Sequence, residues 1–178
     1  MSQELGKRER TPISYDDILK CLPPAIKKIT VMKELDKLPP KCTTSDIFGH
    51  ATNCCLFCNR YGHSGNIITS HWVVLIKRKS RVEYSDSLGN SVNELLHLLG
   101  NVKSPGFRYW KNNTRVLDTH SQLQRDALQD CGDWAAIRCC LHFMSNKQFV
   151  RFIKSSPVSP DITASFLTFL PLLKFPES

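Results

Sequence analysis

Two alternating runs separated by a short polar break constrain this chain more than any other feature. His71-Trp72-Val73-Val74-Leu75-Ile76 and Arg81-Val82-Glu83-Tyr84-Ser85-Asp86 each read as a strand, with Lys77-Arg78-Lys79-Ser80 as the turn of a hairpin. If the hairpin folds symmetrically about the Arg78–Lys79 bond, Val73 meets Tyr84 and Leu75 meets Val82 on one apolar face. His71 then meets Asp86 at the open end of that face. The other face pairs Trp72 with Ser85, Val74 with Glu83 and Ile76 with Arg81, and is more polar. A slip of one residue would send the histidine and the aspartate to opposite faces, so the apolar pattern supports their meeting. Arg-Lys is not a preferred tight-turn pair, which leaves the loop length open. A carboxylate beside an imidazole has two uses. It can hold a structural histidine, or it can fix the tautomer of a general base and stabilise its imidazolium.

The second constraint is Asp130-Cys131-Gly132, followed by Asp133-Trp134-Ala135-Ala136-Ile137-Arg138-Cys139-Cys140-Leu141. Trp134, Ile137, Leu141 and Met144 recur at helical spacing, and Ala135 and Ala136 are strong helix formers, so a buried helix is expected over 131–145. Cys131 falls in its first turn, at the positive end of the macrodipole, which favours a thiolate. Taken alone, a cysteine in such a place is more often a space-filling core residue. A nucleophile needs a base and an oxyanion site as well. His71 with Asp86 supplies the first. Gln124 lies seven residues before Cys131, close enough for a loop to return its amide to the thiol; that N–H and the Cys131 backbone N–H would be the two oxyanion donors. Gln122 is the alternative if the loop is laid out differently, and Gln129 stands nearby too.

The remaining segments are read more briefly. The chain has 178 residues, enough for one domain over 1–178 with a sizeable core, residues 1–11 being polar and expected to fray. Ser14-x-x-Asp17 resembles a capping box opening a short helix through Ile18 and Leu19 that Pro23-Pro24 ends. A second short amphipathic piece carries Ile26 and Ile29, and Pro39-Pro40 forces an extended turn. Asn53 to Asn59 reads as a short buried strand, Val92 to Leu99 as a helix, and Arg115-Val116-Leu117 as a strand. No apolar stretch reaches transmembrane length and no signal peptide is legible, so the eight cysteines are expected to sit in a reducing compartment rather than in a secreted protein. Cys55-x2-Cys58-x4-His63 has the spacing of three zinc-knuckle ligands, but the fourth position holds Ile68, and His50 could substitute only by folding back. No metal is assigned.

The order of the parts carries a resemblance. His71-Trp72, then Asp86-Ser87-Leu88-Gly89, then Gln124, then Asp130-Cys131-Gly132 resembles the adenain and Ulp cysteine peptidases, the adenovirus maturation protease and the processing proteases of ubiquitin-like modifiers. Papain-like enzymes place the cysteine first, and this order is the permuted one. The resemblance covers roughly residues 53 to 145, and Leu38-Pro39-Pro40 and Phe57-Cys58-Asn59 look like the run-in of adenain-like proteases of viruses and virus-like transposons. The seven-residue step from Gln124 to Cys131 resembles the adenovirus enzyme, while Asp130 and Asp86 also suit the Ulp branch.

The fold this implies is α+β, a permuted papain-like arrangement. A central mixed sheet carries His71 and Asp86, and a buried helix headed by Cys131 packs on it. The implied activity is that of a cysteine endopeptidase cleaving viral precursor proteins during particle maturation, with Cys131 attacking, His71 as base and then acid, Asp86 orienting it, and Gln124 in the oxyanion hole. Trp72 is the substrate-channel candidate, or else a core anchor. Substrates with glycine near the scissile bond are implied, because the family's narrow aromatic-lined channel excludes larger side chains. The chemistry requires no cofactor, although viral relatives are stimulated by DNA and a basic viral peptide. A monomer acting in the virion and host nucleus, without a membrane partner, completes the expectation. The alternatives are a Ulp-type isopeptidase, a degenerate inactive protease, and a non-enzymatic Cys/His-rich module binding nucleic acid through Cys55, Cys58 and His63. The balance of 24 basic to 16 acidic residues, a net +8, is compatible with DNA. Its densest cluster is Lys77, Arg78, Lys79 and Arg81 at the hairpin tip, about 20 Å along the strands from His71. Such a cluster is more often a solvated turn.

Overall fold

The computed structural model describes residues 14–99, 104–124 and 130–169; the expected frayed segment 1–11 and Gln129 lie outside them. In chain order the elements are α1 (Tyr15–Cys21), α2 (Pro24–Lys27), β1 (Thr30–Glu34), a 3-10 turn at Leu35–Lys37, α3 (Thr44–Phe48), β2 (Asn53–Tyr61), β3 (Ile67–Lys77) and β4 (Val82–Ser85). There follow α4 (Val92–Leu98), α5 (Pro105–Asn112), β5 (Val116–Asp118), α6 (Cys131–Cys140), α7 (Asn146–Lys154) and α8 (Pro160–Phe169). The strands form one five-stranded mixed sheet in the order β1-β2-β3-β4-β5, with the outer pairs parallel and the inner pairs antiparallel. The fold is α+β, with Cys131 at the N-terminus of a buried helix. None of the helices among the described residues is long and apolar enough to cross a membrane.

Both faces of the sheet are buried, and strand alternation decides which residue serves which core. Cys54, Leu56, Cys58, Val73, Leu75, Val82 and Tyr84 point to one side, where Phe48, Leu95, Leu96, Phe107 and Trp110 of α3, α4 and α5 cover them. Cys55, Trp72, Val74 and Ile76 point to the other, against Ile18 of α1 and Ala135, Ala136 and Cys139 of α6. The two alanines let α6 lie close to β3. At Gly106 in α5 an added Cβ would come within 2.1 Å of the Pro39 carbonyl oxygen, so only glycine allows that helix to seat against the Pro39-Pro40 turn.

The Ser14 capping box forms as expected, with Ser14 Oγ accepting from the Asp17 N–H and the Asp17 carboxylate accepting from the Ser14 N–H. The hairpin faces are as expected, but its register is not. Leu75 faces Tyr84 and Lys77 faces Val82, two positions away from the symmetric pairing about Arg78–Lys79. The turn centres instead on Lys79–Ser80, with the Arg78 N–H donating to the Arg81 carbonyl at 2.9 Å. A shift of two leaves every side chain on its face, which is why the apolar pattern could not tell the two registers apart. The helix expected over 131–145 stops at Cys140, and a separate helix, α7, begins after the Ser145 cap.

The zinc-knuckle spacing fails on this fold for a simple reason. Cys55 and Cys58 are three apart on one strand and therefore point to opposite faces of the sheet, Cys55 toward α6 and Cys58 toward the other core. His63 sits in the turn after β2, so the three ligands do not converge. Cys55 instead places its sulfur 3.4 Å from that of Cys139 on α6.

Candidate active site

β4 ends at Ser85, opposite Val74, while β3 begins at Ile67, so the first half of β3 runs on past the end of β4. The site occupies that gap. Asp86 is the first residue beyond β4, level with Val73, and its carboxylate reaches diagonally to His71 rather than facing it across the ladder. The His71 Nε2–H donates to Asp86 Oδ1 at 2.8 Å. Within the sheet His71 faces Cys58 of β2. The buried Asp86 carboxylate is fully engaged, with Oδ1 also accepting from the Leu88 N–H at 2.8 Å, and Oδ2 accepting from Asn90 Nδ2 at 3.1 Å and the Tyr84 hydroxyl at 3.3 Å.

Cys131 lines the same cleft as the imidazole, and its sulfur acts on the ring together with Asp86. Since Nε2 belongs to Asp86, Nδ1 is the nitrogen left for sulfur. Burial pushes the His71 imidazole down, but the hydrogen bonds and charges of Asp86 and Cys131 outweigh it and raise it to about 10. The ring is therefore held as an imidazolium at neutral pH. The half-buried Cys131 heads α6, where the partial positive charge of the helix gathers and first-turn N–H groups lack intrahelical acceptors.

Cys131 stands where the two faces of the sheet meet. On the α6 side it lines a cavity of about 20 Å³ with Trp72, Val74, Ser85, Asp86 and Trp134. On the other side it lines an open cleft of about 520 Å³ with His71, Gln124 and the aliphatic side chains of Ile67, Ile68, Leu95 and Leu98. The cleft also takes in the polar Arg60, Thr69, Ser70 and Asn90, so aliphatic and polar side chains share its lining among the described residues. Trp72 lines the small cavity and is only 3% exposed, with its ring 5.0 Å from that of Tyr15 and 4.6 Å from that of Phe57. That is the placement of a core anchor, on the sheet face opposite the cleft.

Gln124 is buried and lines the cleft, whereas Gln122 is exposed. The Gln124 Oε1 accepts from the Ser87 hydroxyl at 2.6 Å, and the Ser87 carbonyl accepts from the N–H groups of Leu123 at 2.8 Å and Gln124 at 2.9 Å. Gly89, with φ +82°, lies so close to the Gln122 backbone that an added Cβ would come within 2.6 Å of its nitrogen. Sequence reasoning quoted Ser87 and Gly89 as part of a motif but missed their contact with the glutamine loop. The contact spans more than thirty residues of sequence and leaves no local signal.

The four cations at the hairpin tip have different surroundings. Arg78 donates to Glu83 Oε2 at 2.8 and 3.2 Å and to the Met144 carbonyl at 2.6 Å, and Arg81 lies 3.5 Å from Glu83 Oε1. The Lys77 Nζ rests 5.5 Å from the centre of the Phe48 ring, and Lys79 is exposed. Glu83 is a buried carboxylate that one-residue alternation places toward α6, so two of the four cations are drawn inward to neutralise it.

A thiol at a helix N-terminus, an imidazole bonded to a carboxylate and an amide side chain therefore share one cleft, a set of groups able to serve a thiol nucleophile and its base. No protein-family model matches the chain, and no curated protein matches it by sequence. Among solved structures, the crystal structure of ASFV pS273R protease is similar at 16% identity and a TM-score of 0.41, covering 82% of this chain and 61% of that one. A selenomethionine crystal structure of the same protease gives 18% identity and a TM-score of 0.35, covering 67% of this chain and 44% of that one. The chain therefore spans less than two thirds of the length of either.

Proposed function

We propose that this protein is a cysteine endopeptidase of the adenain/Ulp type, with 1–178 forming one protease domain. The observation that carries the reading is the His71 ring, hydrogen-bonded to Asp86 and sharing the wall of one open cleft with Cys131 and Gln124. In the reaction, the Cys131 sulfur attacks the scissile carbonyl carbon while the carbonyl π pair moves to oxygen. Gln124 and the Cys131 backbone N–H donate to that oxyanion. His71 holds the thiol proton and delivers it to the leaving amine as the tetrahedral intermediate collapses to a thioester. Water then attacks the thioester, with His71 taking its proton and returning it to the sulfur. Asp86 keeps the ring oriented and its charge compensated throughout.

The seven-residue step from Gln124 to Cys131 supports the adenain side of the family, while Asp86 and Asp130 also suit the Ulp branch. The substrates proposed are viral precursor polypeptides with glycine near the scissile bond, and the sites of action the virion and host nucleus. Activation by DNA or by a basic viral peptide is part of the same proposal. A probe carrying a Gly-Gly segment and a thiol-reactive electrophile tests the chemistry directly. It labels Cys131 ahead of the other seven cysteines, because those lie in the protein interior or are kept protonated: burial pushes Cys42 and Cys140 up to about 11 and raises Cys21, Cys54 and Cys58 as well. Equal labelling of Cys140, or none of Cys131, would refute the proposal.

A further inference from the structure

The loop Asp86-Ser87-Leu88-Gly89-Asn90 does more than carry the carboxylate. Asp86 is bonded to His71, and the next residue is bonded twice over to the segment that bears Gln124. The Ser87 carbonyl takes the Leu123 and Gln124 N–H groups and so sets the backbone. Its hydroxyl, itself buried, donates to Gln124 Oε1 at 2.6 Å. An amide side chain has an acceptor end and a donor end that differ by a half-turn about its last bond. A hydroxyl already donating to Oε1 chooses between them. The oxygen is kept at Ser87, which turns Nε2, the donor end, away from it. Reversed, the amide would aim an oxygen lone pair at a developing oxyanion, and stabilisation would become repulsion.

We propose that Ser87 is a positioning residue for the oxyanion site, fixing the orientation of the Gln124 amide so that its N–H rather than its oxygen meets the tetrahedral oxyanion. This rests on the peptidase reading of the same site. In this role Ser87 acts through Gln124 rather than on the reacting atoms. One five-residue loop thereby sets both halves of the machinery, the base through Asp86 and the oxyanion donor through Ser87. Gly89 is what lets that loop press on the backbone of Gln122.

The test uses two reagents on the full chain. A peptide aldehyde adds reversibly to the thiol: a carbon–sulfur bond forms, the π pair goes to oxygen, and the oxygen occupies the oxyanion position. Iodoacetamide forms a carbon–sulfur bond and expels iodide with no oxyanion at all. Ser87→Ala is expected to weaken aldehyde binding and lower kcat by roughly 10-fold, less than the loss of a whole donor, with KM unchanged. Its alkylation rate at Cys131 stays that of the wild type. Ser87→Thr, which keeps the hydroxyl, restores aldehyde binding. Ser87→Cys, near in size with a weak donor, falls between and serves if the alanine variant does not fold. In a Gln124→Ala background, Ser87→Ala costs nothing further. Unchanged aldehyde affinity in Ser87→Ala and Ser87→Cys, an equal loss in the Gln124→Ala background, or a parallel fall in alkylation would overturn the role of Ser87 and leave the peptidase reading standing. A wild-type protein that neither binds the aldehyde nor is alkylated at Cys131 would remove both.

Discussion

Glu83 and Asp86 stand three residues apart on one stretch of chain, both buried, and are satisfied in opposite ways. Glu83 is surrounded by permanent cations: Arg78 at 2.8 Å, Arg138 at 3.3 Å and Arg81 at 3.5 Å. Asp86 is surrounded by neutral donors and one imidazole, the only partner of the four whose charge changes when it passes a proton to a reacting group. Around Glu83 the network spreads outward. Arg138 also donates to Ser85 Oγ, the Leu141 and Met144 carbonyls and Asn146 Oδ1, and stacks over Phe149 at 4.9 Å. Asn146 in turn donates to the carbonyls of Tyr84 and Leu117. That cluster ties α6, α7, β4 and β5 into one unit. Burial pushes Arg138 down to about 10 against the pull of Glu83, which leaves it charged at neutral pH. A carboxylate locked among guanidiniums can only hold structure. One given a titratable partner can serve a proton transfer.

The comparison is broken or sharpened by substitution on each side, the largest effect first. Cys131→Ala and His71→Ala each abolish peptide hydrolysis, a fall of roughly 10⁴-fold or more; in urea Cys131→Ala stays nearly as stable as before, while His71→Ala also loses the stabilisation of its bond to Asp86. If either variant instead unfolds with activity per folded molecule intact, the division of labour is wrong. Glu83→Ala does the reverse. It strands the buried Arg138 guanidinium and costs about 3–5 kcal/mol of unfolding free energy, read as a lower urea midpoint, with Cys131 labelling in the remaining folded protein unchanged. Gln124→Ala lowers kcat by roughly 10²-fold, as for a lost oxyanion donor, and Asp86→Asn leaves a measurable residual rate. A larger loss from Gln122→Ala than from Gln124→Ala would move the oxyanion site.

The pH dependence is a gentler probe. His71 is raised from its ordinary 6.5 to about 10, so its stabilising contribution is complete below about pH 6.5 and is lost as pH rises toward 10. Urea midpoints measured from pH 6 to 9 therefore fall in the wild type and fall less in Asp86→Asn; parallel curves would deny the coupling. The smallest effect concerns the hairpin tip. With Arg78 and Arg81 engaged by Glu83, Lys79 is the tip residue best placed to meet a polyanion. Lys79→Ser is expected to reduce the salt slope of any DNA binding by about one. Binding by neither protein at low salt would remove DNA as a partner.

Much of the site was legible because its signals are local. Alternation put His71, Val73 and Leu75 on one face whatever the register, helical spacing put Cys131 at the head of α6, and Ser14 with Asp17 wrote a cap into four residues. The edge strand β1 escaped notice because Thr30-Val31-Met32-Lys33-Glu34 gains its identity only from its parallel partner β2. Helix α5 was obscured by the Pro105-Gly106 at its start, where only the fit of Gly106 against Pro39 explains the glycine. By itself the sequence determined the faces of the hairpin and the helix that presents the thiol, properties of repeat lengths of two and about 3.6, and the order of the four candidate residues along the chain. The tertiary structure alone decided that the turn shifts by one bond so that Asp86 reaches His71 diagonally, that Glu83 gathers three arginines while Asp86 gathers none, and that Ser87 grips Gln124. Those are choices of partner between groups distant in sequence, and a buried polar group takes whichever partner the packing of the chain brings within hydrogen-bonding distance.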